Sequence, residues 1–244
     1  MPEIVEQILT LPRGGIVYDA SRLRKPDEQV FSRDYWASRG ALDEVAGGRG
    51  AVLFLRTDSG SWVLRHYRRG GLIAKLSQDS YWWLGEERTR CFAEWRLLAE
   101  LRRLALPVPA PVAARYVRSG PIYRADLITE QLPVSQTLAA LLLKGSLTQQ
   151  QWRAIGSTIG RFHSHGVQHA DLNAHNILLG HDDVVYILDF DRGRIRARGA
   201  WEQRVLARLR RSLDKIKAQH AGVAFGEWEW EGLRKEADSG SDSG

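Results

Sequence analysis

The chain has 244 residues, 43% of them hydrophobic, which is enough for one large domain or two lobes around a real core. Its single cysteine excludes a disulfide framework, and the absence of a basic start with an apolar run or of ~20 consecutive apolar residues leads us to expect a soluble or peripheral, cytoplasmic protein. The net charge of +6 is uneven: Arg192 to Lys217 holds ten Lys/Arg against two acids, Glu202 and Asp214, so the rest of the chain is slightly acidic.

Residues 1–40 carry turn signals at Pro12–Gly15 and Lys25–Asp27, a short strand near Ile16–Tyr18, and Phe31, Tyr35 and Trp36 at helical spacing. A strand over Ala51–Arg56, a turn at Thr57–Gly60 and a strand over Ser61–Tyr67 read as an antiparallel sheet. The glycines Gly47, Gly48 and Gly50 precede it. Such a turn can offer backbone N–H groups to phosphates, although a plain hairpin uses the same residues. Arg65 shares a face with Val63 and Tyr67 and is a candidate phosphate cation, with a structural ion pair as the alternative. Tyr81, Trp82 and Trp83 form an aromatic cluster, suited to core packing, a sugar face or a membrane interface. A helix over 86–105 has the apolar stripe Phe92, Trp95, Leu98 and Leu101. Glu94 lies on that stripe and is the predicted partner of Arg65, with Glu87 as its rival.

Pro107, Pro109 and Pro111 end that helix, and strands follow at Val112–Arg118 and Ile122–Thr129. A boundary near 132 opens a helical region: Ser135–Leu143, then Thr148–His165 with a Thr148–Gln151 capping box and Gly166 after its end. Residues 169–191, HADLNAHNILLGHDDVVYILDFD, read as a loop followed by a β-hairpin, with strands Ile177–Leu179 and Val184–Leu188. The hairpin places Asp171 and Asn176 before its first strand and Asp189 after its second, so the three should converge. A helix from Trp201 to Lys217 buries Trp201, Val205, Leu209, Leu213 and Ile216 and turns Arg204, Arg208, Arg211 and Lys215 away. Its basic face suits an anionic acceptor or an anionic membrane surface. Residues 236–244 read as a disordered tail.

Carboxylates and a carboxamide are hard oxygen ligands for magnesium on phosphates, and a further carboxylate can take a proton from a hydroxyl. His169, Asp171 and Asn176 fill the HxDxxxxN pattern of protein-kinase-like enzymes, and Asp189, Phe190 and Asp191 stand in the Asp-Phe-Gly slot. An ordinary polar hairpin explains the residue types but not their order and spacing. Zinc finds neither an HExxH nor a CxxC spacing among the clustered histidines. The expected fold is α+β: a protein-kinase-like two-lobed fold with an antiparallel sheet and one main helix in residues 1–132, and a mostly helical lobe in 133–235. In that frame residues 130–132 are the hinge that takes the adenine edge, and no long activation loop fits between Asp191 and Trp201.

The stretches VLRHYRRGGL (63–72), LPVPAPVAAR (106–115), HADLNAHNILL (169–179), YILDFDRGRIR (186–196) and RLRRSLDK (208–215) make the chain resemble the bacterial 3-deoxy-D-manno-octulosonic acid (Kdo) kinases, kin of the lipopolysaccharide heptose kinases. The resemblance implies ATP- and Mg2+-dependent phosphorylation of the 4-hydroxyl of a Kdo residue on a lipid A precursor, by a peripheral protein on the cytoplasmic face of the inner membrane. It implies Asp171 as catalytic base, Asn176 and Asp189 as magnesium ligands, and Arg65 and Glu94 in the phosphate-clamping slots. Arg65 stands where protein kinases carry Lys, and Asp191 where they carry Gly, so protein-kinase regulation does not transfer. Neither a nucleic-acid partner nor an obligatory protein partner is expected. The alternatives are another small-molecule or protein phosphotransferase on the same scaffold, and an inactive or nucleic-acid-binding relative, against which the filled catalytic positions argue.

Overall fold

The computed structural model describes residues 3–43, 52–68, 79–133, 135–145, 147–180 and 183–239. They belong to two compact units, Met1–Arg103 with Pro109–Gln131, and Leu104–Val108 with Leu132–Gly244. Gly47, Gly48 and Gly50, the predicted phosphate turn, lie outside the described residues.

The first unit is built on one antiparallel sheet. In chain order its elements are β1 (Glu6–Leu11), β2 (Gly14–Asp19), α1 (Arg33–Ala37), β3 (Leu42–Asp43), β4 (Val52–Thr57), β5 (Gly60–His66), β6 (Tyr81–Trp82), α2 (Arg90–Arg103), β7 (Pro111–Ser119) and β8 (Ile122–Glu130). The strand order is β1-β2-β7-β8-β5-β4-β3, with β6 added to β8. The period of two along β5 sorts its side chains. Trp62 and Leu64 join a core cluster with Ile16, Leu55, Phe31 and Trp36, and the Trp36 indole N–H donates to the Val30 carbonyl at 2.8 Å. Each such apolar side chain stabilises the unit by about 1.5–3 kcal/mol through burial. Arg65 and Tyr67, out of phase with Trp62 and Leu64, reach Glu94 of α2.

The aromatic cluster divides. Tyr81 is buried, and Trp83 packs on Tyr116 and Tyr123, its ring covered by the Arg118 guanidinium, while Trp82 is 67% exposed.

The second unit contains β9 (Ser135–Thr137), α3 (Leu138–Lys144), α4 (Gln149–Ser164), β10 (Val167–Gln168), β11 (Ile177–Gly180), β12 (Val185–Ile187), β13 (Arg194–Ile195), α5 (Trp201–Gln219) and α6 (Glu227–Ser239). Helix α4 starts at the predicted capping box, in which Thr148 Oγ1 accepts from the Gln151 N–H and Gln151 Oε1 from the Thr148 N–H. It ends at Gly166, whose φ of +68° and close approach to the Arg196 carbonyl leave no room for a Cβ. Among the described residues no helix is long and apolar enough to cross a membrane.

Three sequence expectations are corrected. The helix predicted over Ser135–Leu143 begins only at Leu138, because residues 135–137 pair with β11, and Thr137 then caps α3 through the Ala140 N–H. Leu104–Val108 joins the second unit: the Ile187 N–H donates to the Pro107 carbonyl at 3.1 Å, and Arg161 to the Ala105 carbonyl at 3.1 Å. Residues 236–239, assigned to a disordered tail, complete α6. That helix buries Trp230, Leu233 and Ala237, and its Leu233 carbonyl lies so close to Gly156 of α4 that a Cβ there would sit 2.1 Å from the oxygen.

Candidate active site

The β11–β12 pairing sets Ile177 opposite Ile187, so both ends of the hairpin lie at one edge. The Leu188 N–H donates to the Asn176 carbonyl at 2.9 Å, which brings Asp189 beside Asn176. Between α4 and β11 the loop is held by its own amides. Asn173 Nδ2 and Asn176 Nδ2 both donate to the Asp171 carbonyl, at 2.9 and 3.0 Å, and Asn173 Oδ1 accepts from the His175 N–H at 2.9 Å. Asn173 therefore serves the loop's own structure. With its amide N–H donating to the Asp171 carbonyl, Asn176 has an Oδ1 to which no described residue is seen to donate, the atom a hard cation would use.

Buried His169 ties the loop to the hairpin. Its Nε2 lies 2.8 Å from the Leu188 carbonyl and its Nδ1 accepts from the Asp171 N–H at 3.1 Å. A carbonyl only accepts and an amide only donates, so the ring is neutral with its proton on Nε2. Burial also pushes the His169 pKa down, which favours the same form. Phe190 anchors the next step of the chain, fully buried between His169 and Phe162. Asp189 has a φ of +61° and Arg192 one of +60°, and the Gly193 N–H closes on the Phe190 carbonyl at 2.7 Å. These left-handed residues turn the segment sharply, and β13 then pairs with β10.

The sequence reading did not foresee the cation beside Asp171. Arg208, predicted on the outward basic face of α5, donates through Nε to Asp171 Oδ1 at 2.7 Å. One turn on, Ser212 Oγ accepts from the Ala174 N–H at 3.1 Å, so α5 grips the loop at two points four residues apart. The signal was Ser212, a small hydroxyl between the basic pair Arg210–Arg211 and the apolar Leu213. Arg210, another residue of the basic run, pairs with Asp214 and Glu227 and lies over the rings of Phe225 and Trp230.

In the first unit the Arg65–Glu94 pair forms. Arg65 Nη2 lies 2.7 Å from both Glu94 oxygens, and the Glu94 side chain is 2% exposed. Tyr67 Oη donates to the same carboxylate, and burial with the adjacent Glu94 charge pushes the Tyr67 pKa well up. The rival Glu87 is exposed and pairs with Arg96. The helical stripe places Glu94 inward, toward the face of β5 that carries Arg65. A surface groove lined by Arg22, Trp95, Arg96 and Ala110 contains none of the predicted site residues.

Comparison with known proteins gives a consistent result. The model of the Lipopolysaccharide kinase (Kdo/WaaP) family matches residues 33–230. A protein named 3-deoxy-D-manno-octulosonic acid kinase from Xylella fastidiosa (strain 9a5c) is 45% identical over 210 residues, covering 85% of this chain and 83% of the relative. A protein of the same name from Stenotrophomonas maltophilia (strain K279a) is 45% identical over 209 residues, with the same coverage. One from Vibrio parahaemolyticus is 41% identical over 200 residues, covering 82% of this chain and 84% of the relative. Among solved structures, WaaP in complex with acyl carrier protein has a TM-score of 0.54 at 18% identity, covering 88% of this chain and 87% of that one. This last likeness concerns the fold, which is the mixed α+β, protein-kinase-like architecture expected from the motifs.

Proposed function

From the premise that the chain belongs to the lipopolysaccharide kinase (Kdo/WaaP) family, we propose that it transfers a phosphoryl group from ATP to a Kdo residue, at the 4-hydroxyl, on a lipid A precursor. The observation that carries this reading is the loop–hairpin unit itself. His169, Asn173 and Asn176 hold the backbone at Asp171, and the Leu188–Asn176 hydrogen bond brings Asp189 to the same edge.

Each residue has a role its chemistry suits. Asp171 is exposed and carboxylate-bearing, and it accepts the proton of the attacking sugar hydroxyl. Asn176 Oδ1 and the Asp189 carboxylate would hold Mg2+. Among the described residues no three His, Cys, Asp or Glu side chains cluster as a self-sufficient site, so the remaining ligands would be phosphate and water oxygens. The cation, when bound, neutralises charge on the nucleotide phosphates. Arg65, fixed by Glu94, offers a guanidinium to the phosphates, and its planar fork suits them better in pairs than singly. The basic strip Arg204, Arg211 and Lys215 of α5 supports an anionic glycolipid acceptor and peripheral contact with the anionic cytoplasmic face of the inner membrane.

Mass spectrometry of a Kdo-lipid A precursor incubated with the protein and ATP-Mg tests the reading. One added phosphate on the sugar is expected. Phosphate on the lipid A portion, or transfer only to proteins or aminoglycosides, refutes it.

A further inference from the structure

Arg208 has no task in the reaction described above, yet it sits on the residue assigned as base. The pair with Asp171 is open to solvent, the two side chains being 45% and 58% exposed. A pair of that kind adds little to stability. Stability therefore does not explain an arginine at this place.

The surroundings do. Nε makes the Asp171 contact, and among the described residues no group of the protein takes the terminal Nη nitrogens. The two acids of α5 are occupied elsewhere, Glu202 by Arg198 and Asp214 by Arg210. Arg204, Arg211 and Lys215, at four before and three and seven after Arg208, share its side of the helix. No described carboxylate pairs with them. The backbone under Arg208 is fixed by the buried Val205 and Leu209 on either side and by Ser212 on the catalytic loop. The result is a guanidinium that presents its two-nitrogen edge from a rigid support, next to the base, in a cationic field. A planar fork of this kind matches a carboxylate bidentately.

We propose that Arg208 binds the carboxylate of the acceptor sugar with its terminal nitrogens while Nε keeps Asp171 in place, so that the enzyme selects acidic sugars and sets the hydroxyl against the base. This inference rests on the acceptor assignment above, in which the sugar is an octulosonic acid.

The test compares a Kdo-lipid A precursor with the methyl ester of the same compound, using wild type, Arg208→Gln and Arg208→Lys, each first shown to melt as one folded species. For wild type we expect kcat/KM to favour the acid by about 10- to 100-fold, the range of a charge-assisted hydrogen-bonded contact. Arg208→Gln should lose about that factor on the acid and bring the acid-to-ester ratio close to one. Arg208→Lys should restore part of the preference, since it returns the charge without the fork. A purely structural role would slow both acceptors equally and leave the ratio at its wild-type value, and that result overturns the proposal, as does a wild type indifferent to esterification. If wild type phosphorylates neither form, the acceptor assignment has failed, which is a separate outcome.

Discussion

Removing the charge of Glu94 provides the sharpest test of the first unit. In Glu94→Gln the Arg65 guanidinium loses an anion that met one of its nitrogens with both oxygens at 2.7 Å, and Tyr67 loses a charged acceptor. Breaking one side of a buried ion pair costs about 3–5 kcal/mol. The Glu94 side chain is 2% exposed but that of Arg65 is 25% exposed. Water therefore takes over part of the Arg65 solvation, and the expected loss is about 2–3 kcal/mol. For a protein of this size that corresponds to a fall in Tm of roughly 5–10 °C. Arg65 would no longer be held for the phosphates, and the KM for ATP should rise about tenfold or more. Thermal melts and initial rates at varied ATP measure both effects. Glu87→Gln serves as the control: its exposed side chain pairs with half-buried Arg96, and its loss should cost less than ~1 kcal/mol. Arg65→Met combined with Glu94→Leu and Tyr67→Phe should recover stability but not activity, because an apolar cluster replaces the ion pair and the hydroxyl it satisfied without replacing the cation. A Glu94→Gln variant that melts with wild type and keeps its KM for ATP would refute the reasoning.

Asp171→Ala should abolish phosphoryl transfer while leaving ATP binding by calorimetry and Tm close to wild type, since its exposed pair with Arg208 contributes at most ~1 kcal/mol. Gly156→Ala should destabilise by about 1–3 kcal/mol in urea, because the new methyl meets the Leu233 carbonyl; Gly232→Ala on α6, with nothing near its Cβ position, should stabilise by up to ~1 kcal/mol. His163 is buried against Trp201, and burial pushes its pKa down to about 4, below the ordinary 6.5. The folded state thus binds fewer protons than the unfolded one, so stability is full above pH 6.5 and falls as pH drops from 6.5 toward 4. His169 acts in the same direction, so His163→Phe should shrink that fall, read from urea midpoints at pH 7 and pH 5, without abolishing it.

The loop–hairpin unit was legible because its information is local. A β-branched run, a turn and polar residues at matched offsets dictate where the hairpin ends lie. The inward position of Glu94 followed from the stripe of α2 in the same way. Other features depend on partners distant in sequence. Periodicity tells on which side of α5 Arg208 lies, but a long side chain beside the apolar stripe can swing either outward or onto a neighbouring loop. Helix α6 has only Trp230, Leu233 and Ala237 to bury, among acids, and its stability comes from close approach to Gly156, which no pattern within residues 227–239 announces. The strand character of residues 135–137 exists only because β11 offers its edge.

The pairing of Gln168 with Arg194 has a consequence for control of the enzyme. Only residues 190–193 separate Asp189 from β13, and those are tied down by buried Phe190 and by the Gly193 hydrogen bond. A chain held so tightly past the carboxylate proposed to bind the metal has no slack that a covalent modification there could order or release. Turnover should then follow the arrival of substrate instead of an on–off command, and a phosphatase-treated preparation should work as fast as an untreated one.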